Sequence, residues 1–379
     1  MNDLNHASSD IAAQGIHAAQ VVVRCSDLNE SLDFFVVRLG FRVDVIFPAD
    51  APTAAVISGH GVCLRLEMRV GKAPGNIPLA LRILCDAPPP RFDGSTPDGM
   101  QIEWVAAKPP LVVPRPARDF VLTRQDDANA WGVGRAGMEY RDLIPGRLGG
   151  YVVASHIRIP AGGEVPDYVH FHRVRFQMIY CKAGWVRVVY EDQGPPFVMR
   201  AGDCVLQPPE IRHRVLEASA GLEVIEIGSP AVHDTAADHD ITLPTSTQHP
   251  DRRFGGQRFS RHIADGAQWN PSRVDGVDDS GFESCDVGIS AATGGLADVS
   301  VVRSAHEARA DNMLPLTHAG ECLFLFVLDG ASELFTDGGD GGDARGPHRL
   351  RAGDSVTIPA GLAATLRAEA GFRMLRVAL

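Results

Sequence analysis

The chain has 379 residues, 45% of them apolar, and a formal net charge of −11. That length exceeds what one hydrophobic core usually serves, so two or three domains are expected. The negative balance, without any Lys/Arg-rich run, argues against nucleic acid as a partner, and no apolar stretch reaches the ~18–20 residues a membrane helix needs. The polar opening from Met1 to Gln14 lacks the charged-then-apolar layout of a signal peptide. The seven cysteines are scattered, without a C-x-x-C pair. A cytoplasmic protein with reduced core thiols is the expectation.

In chain order, the first strand-like run is Ala19–Arg24. A helix is predicted over residues 29–39, where Leu32, Phe35, Val36 and Leu39 have helical spacing. Asp27 or Asn29 can cap it, and Gly40 ends it. The run from Ser26 to Phe41, S-D-L-x-x-S-L-x-F-F-x-x-x-L-G-F, resembles the opening of the vicinal oxygen chelate (glyoxalase) superfamily. The resemblance covers about residues 15–85 and implies a βαβββ module. Such modules place a metal-binding His on the first strand and a Glu near the end of the fourth. Here Gln20 stands at the His position and Glu67 at the Glu position, so a structural, dimerising or lid role is expected. Residues 78–125 read as a degenerate partner module without histidine. The Pro-rich stretches 87–97 and 109–116 read as irregular connections. The N-terminal domain is thus expected over 15–125.

From residue 126 the chain is rich in short strands bounded by Gly, Pro and Asp, and it repeats itself about 150 residues later. Trp131 and the Gly137–Asp142 block recur as Trp269 and Gly281–Asp286. Arg200-Ala-Gly-Asp203 recurs as Arg351-Ala-Gly-Asp354, Gly184 as Gly330 and Pro208 as Pro359. Two copies of one all-β unit are expected, at 126–241 and 269–379. The Pro/Thr/Gly/Arg-rich stretch 242–268 reads as a linker that wraps one unit to reach the other. The Gly/Asp tract Asp337–Asp343 reads as a mobile hairpin tip.

The chemistry concentrates in the first copy. His170 and His172 are two apart on a strand and so share a face. If the neighbouring strand starts at Gln177, its amide faces the same interior. After the Pro208-Pro209 turn, His213 enters from a third strand. Three imidazoles and one amide oxygen then converge, which suits a transition metal better than Ca or Mg. Tyr180, Arg158, Arg187, Glu217 and Glu226 lie on barrel strands as candidates to bind substrate or move protons. Tyr180 and Glu217 are taken as the catalytic candidates. By strand parity, Ile179 and Cys181 should share the face of Gln177, and Glu217 that of His213.

The blocks Gly163-x6-His170-x-His172-x4-Gln177-x6-Gly184 and Gly202-Asp-x4-Pro208-x4-His213 resemble the two motifs of the cupin superfamily. The resemblance implies a jelly-roll barrel whose metal ligands, carried over by position, are His170, His172, Gln177 and His213. Gln177 stands where the family has an acid, Glu210 where it has a second-motif Gly, and Glu217 where it has an Asn. A neutral amide leaves the full charge on the metal and makes a more Lewis-acidic centre. The corresponding positions of the second copy are Leu316, His318, Leu323 and Ala364, so that barrel is expected to be metal-free. The expected fold is mainly β: two tandem cupin double-stranded β-helix barrels after an α+β glyoxalase-like domain. The expected function is a metal-dependent cupin enzyme acting on a small organic molecule, favoured as a mononuclear non-haem dioxygenase. It would use one divalent transition metal, Fe before Ni, Zn, Mn, Co or Cu. The alternatives are a redox-neutral isomerase or lyase, or a non-enzymatic small-molecule or metal-binding bicupin. A homodimer with no membrane or nucleic-acid partner is expected.

Overall fold

The computed structural model describes residues 15–68, 80–87, 101–126, 131–134, 138–272, 281–305, 313–316, 318, 320–336 and 347–379. The Pro-rich stretch 88–97 and the Gly/Asp tract 337–343 lie outside them. Strands dominate, and the chain divides into two compact units. One is Met1–Val112 with His233–Asp238, and the other is Val113–Val232 with His239–Leu379.

The first unit opens β-α-β-β-β and adds the strands Ala80–Cys85 and Gln101–Ala106. Strand Ile16–Cys25 pairs in parallel with Val62–Met68 and antiparallel with Ala80–Cys85. Ala54–Gly59 forms a hairpin with Val62–Met68 and also pairs with Arg42–Phe47. The predicted helix starts as an α-helix over Leu28–Leu32 and continues as a π-turn over Asp33–Arg38. Asp27 caps it by accepting the Glu30 N–H at 2.9 Å. Leu28 packs against Ile46, Ala55, Ile57 and Leu66 of the sheet. Glu67 is held by Arg24, Arg65 and Arg82. Burial raises its pKa, but these guanidinium groups outweigh burial and leave it below the usual carboxylate range. Gln20 instead hydrogen-bonds the Cys63 thiol.

The second unit holds two barrels, each made of two antiparallel sheets. In the first barrel one sheet runs Ser260–His262, Cys204–Leu206, Phe176–Ala183, Leu222–Ser229, Val153–Ile159, Glu139–Asp142. The facing strands run Phe197–Arg200, Trp185–Tyr190, His213–Ala218, His170–His172. The second barrel repeats this order with Val121–Thr123, Ser355–Pro359, Cys322–Asp329, Arg373–Ala378, Asp298–Ser304 and Phe282–Asp286. His348–Arg351, Ala331–Thr336, Ala364–Ala368 and Met313–Pro315 face them. Details repeat as well. The Arg158 guanidinium stacks 4.0 Å from the Trp131 ring and that of Arg303 3.9 Å from Trp269. Asp203 and Asp354 accept the backbone N–H of Arg200 and Arg351 at 2.9 and 3.1 Å.

Two expected boundaries move. Val121–Thr123, placed by sequence in the N-terminal domain, pairs with Ser355–Pro359 of the second barrel. Thr235–Ala237, placed in the first barrel, pairs with Arg42–Phe47 of the first unit. The expected linker also contributes a strand, since Ser260–His262 pairs with Cys204–Leu206. The physical reason is common to all three. A sheet edge has unpaired N–H and C=O groups, and a connecting segment that runs past it satisfies them.

Alternation along each strand sets two destinations. Phe176, Met178 and Tyr180 point into a core shared by the barrels, where they join Phe324, Phe326, Leu375 and Val377. Burying each such side chain contributes roughly 1.5–3 kcal/mol. Gln177, Ile179 and Cys181 point the other way, into the first barrel.

Candidate metal centre

The strands His170–His172 and His213–Ala218 are antiparallel neighbours with His170 opposite His213. The i, i+2 spacing puts His172 on the same side as His170. The ring centroids of His170 and His213 are 4.2 Å apart, and His172 lies 5.2 Å from each. All three are buried, and one nitrogen of each lies within 4.8 Å of the others. That is the scale on which one cation with bonds of ~2.1 Å is shared.

The other ring nitrogens of His170 and His213 are committed. His170 Nδ1 donates to the Tyr168 carbonyl at 2.8 Å, and His213 Nδ1 to that of Ile211 at 3.0 Å. A neutral imidazole that donates through Nδ1 keeps its Nε2 lone pair for the cluster. The buried Asp167 carboxylate stands 3.5 Å behind His170 Nδ1 and accepts the Val215 N–H at 2.9 Å, tying the two histidine strands together. Tyr190 stacks on His213 with a centroid distance of 5.6 Å. Burial, with the Glu226 charge as a smaller cause, raises its hydroxyl pKa far above the usual value, so it stays protonated. The donor set therefore fits a transition metal: three imidazoles, two of them with fixed tautomers, and a carboxylate behind one of those.

The cluster opens on a cavity of about 100 Å3. Its walls are mostly aliphatic, with Ile157, Ile179, Val186 and Val188 among them, and its polar contacts besides the histidines include Gln177, Gln207 and Glu226. The Gln207 amide donates to His213 Nε2 at 2.9 Å, the lone pair a cation would take. Gln207 is a residue the sequence reading missed. It has the parity of Val205, an inward position, but no motif marks it. Glu210, where the motif has Gly, adopts φ +61°, the left-handed conformation glycine takes without strain.

The two catalytic candidates do not reach this cavity. Tyr180 is 2% exposed in the core shared by the barrels, on the opposite face of its strand from Gln177. Glu217 pairs with Arg187 at 3.0 Å on the outside of the barrel. Parity failed there because the strand carries a β-bulge. Val188 faces Val215 but Arg187 faces Glu217, so Leu216 is an extra residue. The bulge turns Ala218 inward in place of Glu217. Ile179 lines the cavity as parity indicated, while Cys181 packs in the barrel core, where burial pushes its thiol up to about 12.

The second barrel has no such centre among its described residues. Leu316, Leu323 and Ala364 join Leu325, Leu334, Ile358 and Leu366 in a packed apolar interior. His318 Nε2 bonds the Ile358 carbonyl at 3.0 Å.

Comparison with solved structures gives distant likenesses. They include the Ylba protein from E. coli, 12% identical over 70% of this chain and 92% of that one, TM-score 0.47. A Bacillus subtilis oxalate decarboxylase mutant is 13% identical over 72% and 79%, TM-score 0.48. A salicylate 1,2-dioxygenase from Pseudaminobacter salicylatoxidans is 16% identical over 71% and 86%, TM-score 0.48. A search of curated proteins returns no match. Residues 155–227, which carry all three clustered histidines, match the family model described as Cupin domain.

Proposed function

We propose that the first barrel is the working half of a metal-dependent enzyme acting on a small organic molecule. One divalent transition metal is held by His170, His172 and His213, with Gln177 as the fourth ligand. The observation that carries this reading is the convergence of three buried imidazoles within 4.8 Å at the wall of an internal cavity. A metal bound there supplies Lewis acidity toward a substrate oxygen and, if it is iron, the capacity to use dioxygen. The chain's own residues do the rest. The aliphatic walls exclude water, and the Tyr190 hydroxyl and the Gln207 amide offer hydrogen bonds to a substrate. The cavity of about 100 Å3, with mostly aliphatic walls, favours a compact substrate.

The favoured reaction is oxygen-dependent C–C cleavage by a mononuclear non-haem dioxygenase. Glu226 favours a second reading, a redox-neutral isomerase or lyase in which this carboxylate on the cavity wall takes and returns a substrate proton. Metal analysis of purified protein and of His172→Ala tests the site. Oxygen uptake by anaerobically iron-loaded protein with a panel of diketones, catechols and hydroxy acids tests the reaction. No uptake with any of them removes the dioxygenase reading, and turnover without oxygen on Zn, Mn or Ni supports the other. The N-terminal unit is read, from its β-α-β-β-β order, as a glyoxalase-like module in a structural or dimerising role. A cytoplasmic homodimer is proposed, and sedimentation of the full chain checks its assembly state.

A further inference from the structure

The cupin motif leads to an acid at position 177, and the chain has an amide there. A carboxylate is nevertheless present one strand away. Glu226 lines the same cavity, and its Oε1 accepts the Gln177 Nε2–H at 2.8 Å. The register explains the reach. Gln177 lies opposite Gly228 and Ile179 opposite Glu226, so Gln177 and Glu226 are diagonal neighbours on the inward face. Long side chains span that diagonal, and Gly228 brings no side chain between them. On the other flank, the Gln207 N–H bonds the Gln177 carbonyl at 2.9 Å and fixes the backbone from which the amide projects. A carboxylate only accepts hydrogen bonds, so it decides which end of the amide is nitrogen. The oxygen is then the end offered to the three histidines on the shared cavity wall.

We infer that Glu226 is a positioning residue for the fourth ligand: by taking the amide N–H it aims the Gln177 oxygen at the His170–His172–His213 centre. The inference rests on the metal reading above. It also accounts for the amide itself. A glutamate at 177 would meet Glu226 at hydrogen-bond distance, and two carboxylates so close cannot both ionise without a large penalty. The acid of the motif is in effect displaced by one strand, where it orients a ligand instead of being one.

Co(II) is the probe, because its visible absorption reports ligand number and type while its affinity is titrated on the full chain. Gln177→Ala and Glu226→Ala should each weaken Co(II) binding by about 10–100-fold, the range for groups that orient metal ligands, and shift the spectrum in the same direction. The double alanine variant should be no worse than the single ones, since both remove one interaction. The exchanged pair Gln177→Glu/Glu226→Gln, in which donor and acceptor trade places, should regain at least wild-type affinity. Wild-type affinity and spectrum in Glu226→Ala, or losses that multiply in the double variant, would overturn the inference. If Glu226→Ala does not fold, the exchanged pair decides alone: regained affinity supports the pairing, and affinity as weak as that of Gln177→Ala overturns it. Absence of Co(II) binding by the wild-type chain, or binding that His172→Ala leaves intact, overturns the metal reading itself. The two failures are thus distinguishable.

Discussion

At corresponding positions of the two barrels, the first has His170, His172, Gln177, Gln207 and His213 on its cavity wall, and the second has Leu316, His318, Leu323, Ile358 and Ala364, all but His318 in its apolar interior. The backbones around them agree. Gln207 N–H bonds the Gln177 carbonyl just as Leu323 pairs with Ile358, and Leu316 N–H bonds the Ala364 carbonyl where His170 faces His213. One interior keeps a cavity with the histidines, Gln177, Gln207 and Glu226 on its largely aliphatic wall, and the other is filled mainly by Leu, Ile, Val and Phe. They also differ in the bulge at Leu216, since the corresponding pair, Ala331–Thr336 with Ala364–Ala368, runs without a register shift. A barrel of this kind supports either a site or a core, and a handful of inward residues decides which.

The largest effect that tests this contrast is the loss of one imidazole. His172→Ala should weaken metal binding by more than the ~10–100-fold that changes behind the ligands produce, while unfolding changes little. Metal titration beside thermal unfolding reads both, and unchanged affinity would erase the distinction between the barrels. The reciprocal change is Leu323→Ala. It removes a fully buried side chain from a packed interior and should cost about 2–5 kcal/mol of stability with metal affinity untouched. Denaturant titration measures it, and a loss near zero would mean that the second interior is not the closed core described above.

A smaller, graded effect concerns the contact between the barrels. His156 packs 5.6 Å from Phe326 and hydrogen-bonds Glu223 at 2.7 Å, and its neighbour Arg141 donates to the Gly353 carbonyl at 2.8 Å. Burial holds the His156 pKa below its ordinary 6.5. The unfolded chain therefore takes that proton first, and stability falls as pH drops below 6.5. The His156 hydrogen bond and the Lys182 ammonium, against the opposing effect of burial, hold Glu223 down to about 2 from 4.5. Its contribution is full above 4.5 and is lost as pH falls toward about 2. Unfolding midpoints measured against pH should decline in both windows, and Glu223→Gln should flatten the lower one. A midpoint that is flat from pH 7 to 3 contradicts this. The smallest effect belongs to Glu217→Gln. As an exposed ion pair with Arg187 its removal should shift stability by at most about 1 kcal/mol and leave metal affinity unchanged.

The strand periodicity made the shared face of the histidine pair and the inward face of Gln177 legible in the sequence, because each depends on alternation and a short spacing. Glu217 was misplaced because a bulge adds a residue that counting by twos does not register. Tyr180 was misplaced although its own parity already set it opposite Gln177, and the shared core it enters exists only once two barrels meet. Gln207 escaped notice because its role comes from its proximity to His213 on another strand, and Asp167, three residues before His170, because its cross-strand bond to the Val215 N–H is marked by no local pattern. The strand Val121–Thr123 was assigned to the wrong region for the same reason, since its partner Ser355–Pro359 lies far along the chain.

The strand Ser260–His262 bears on how the first barrel can be isolated. A fragment cut at residue 241 would lose it and leave Cys204–Leu206 with a row of unsatisfied backbone groups facing water. Such a rim recruits strands from other molecules, and the shortened protein would precipitate or pair with itself for reasons unrelated to its histidines. The shortest piece that keeps the rim closed on that side ends beyond His262.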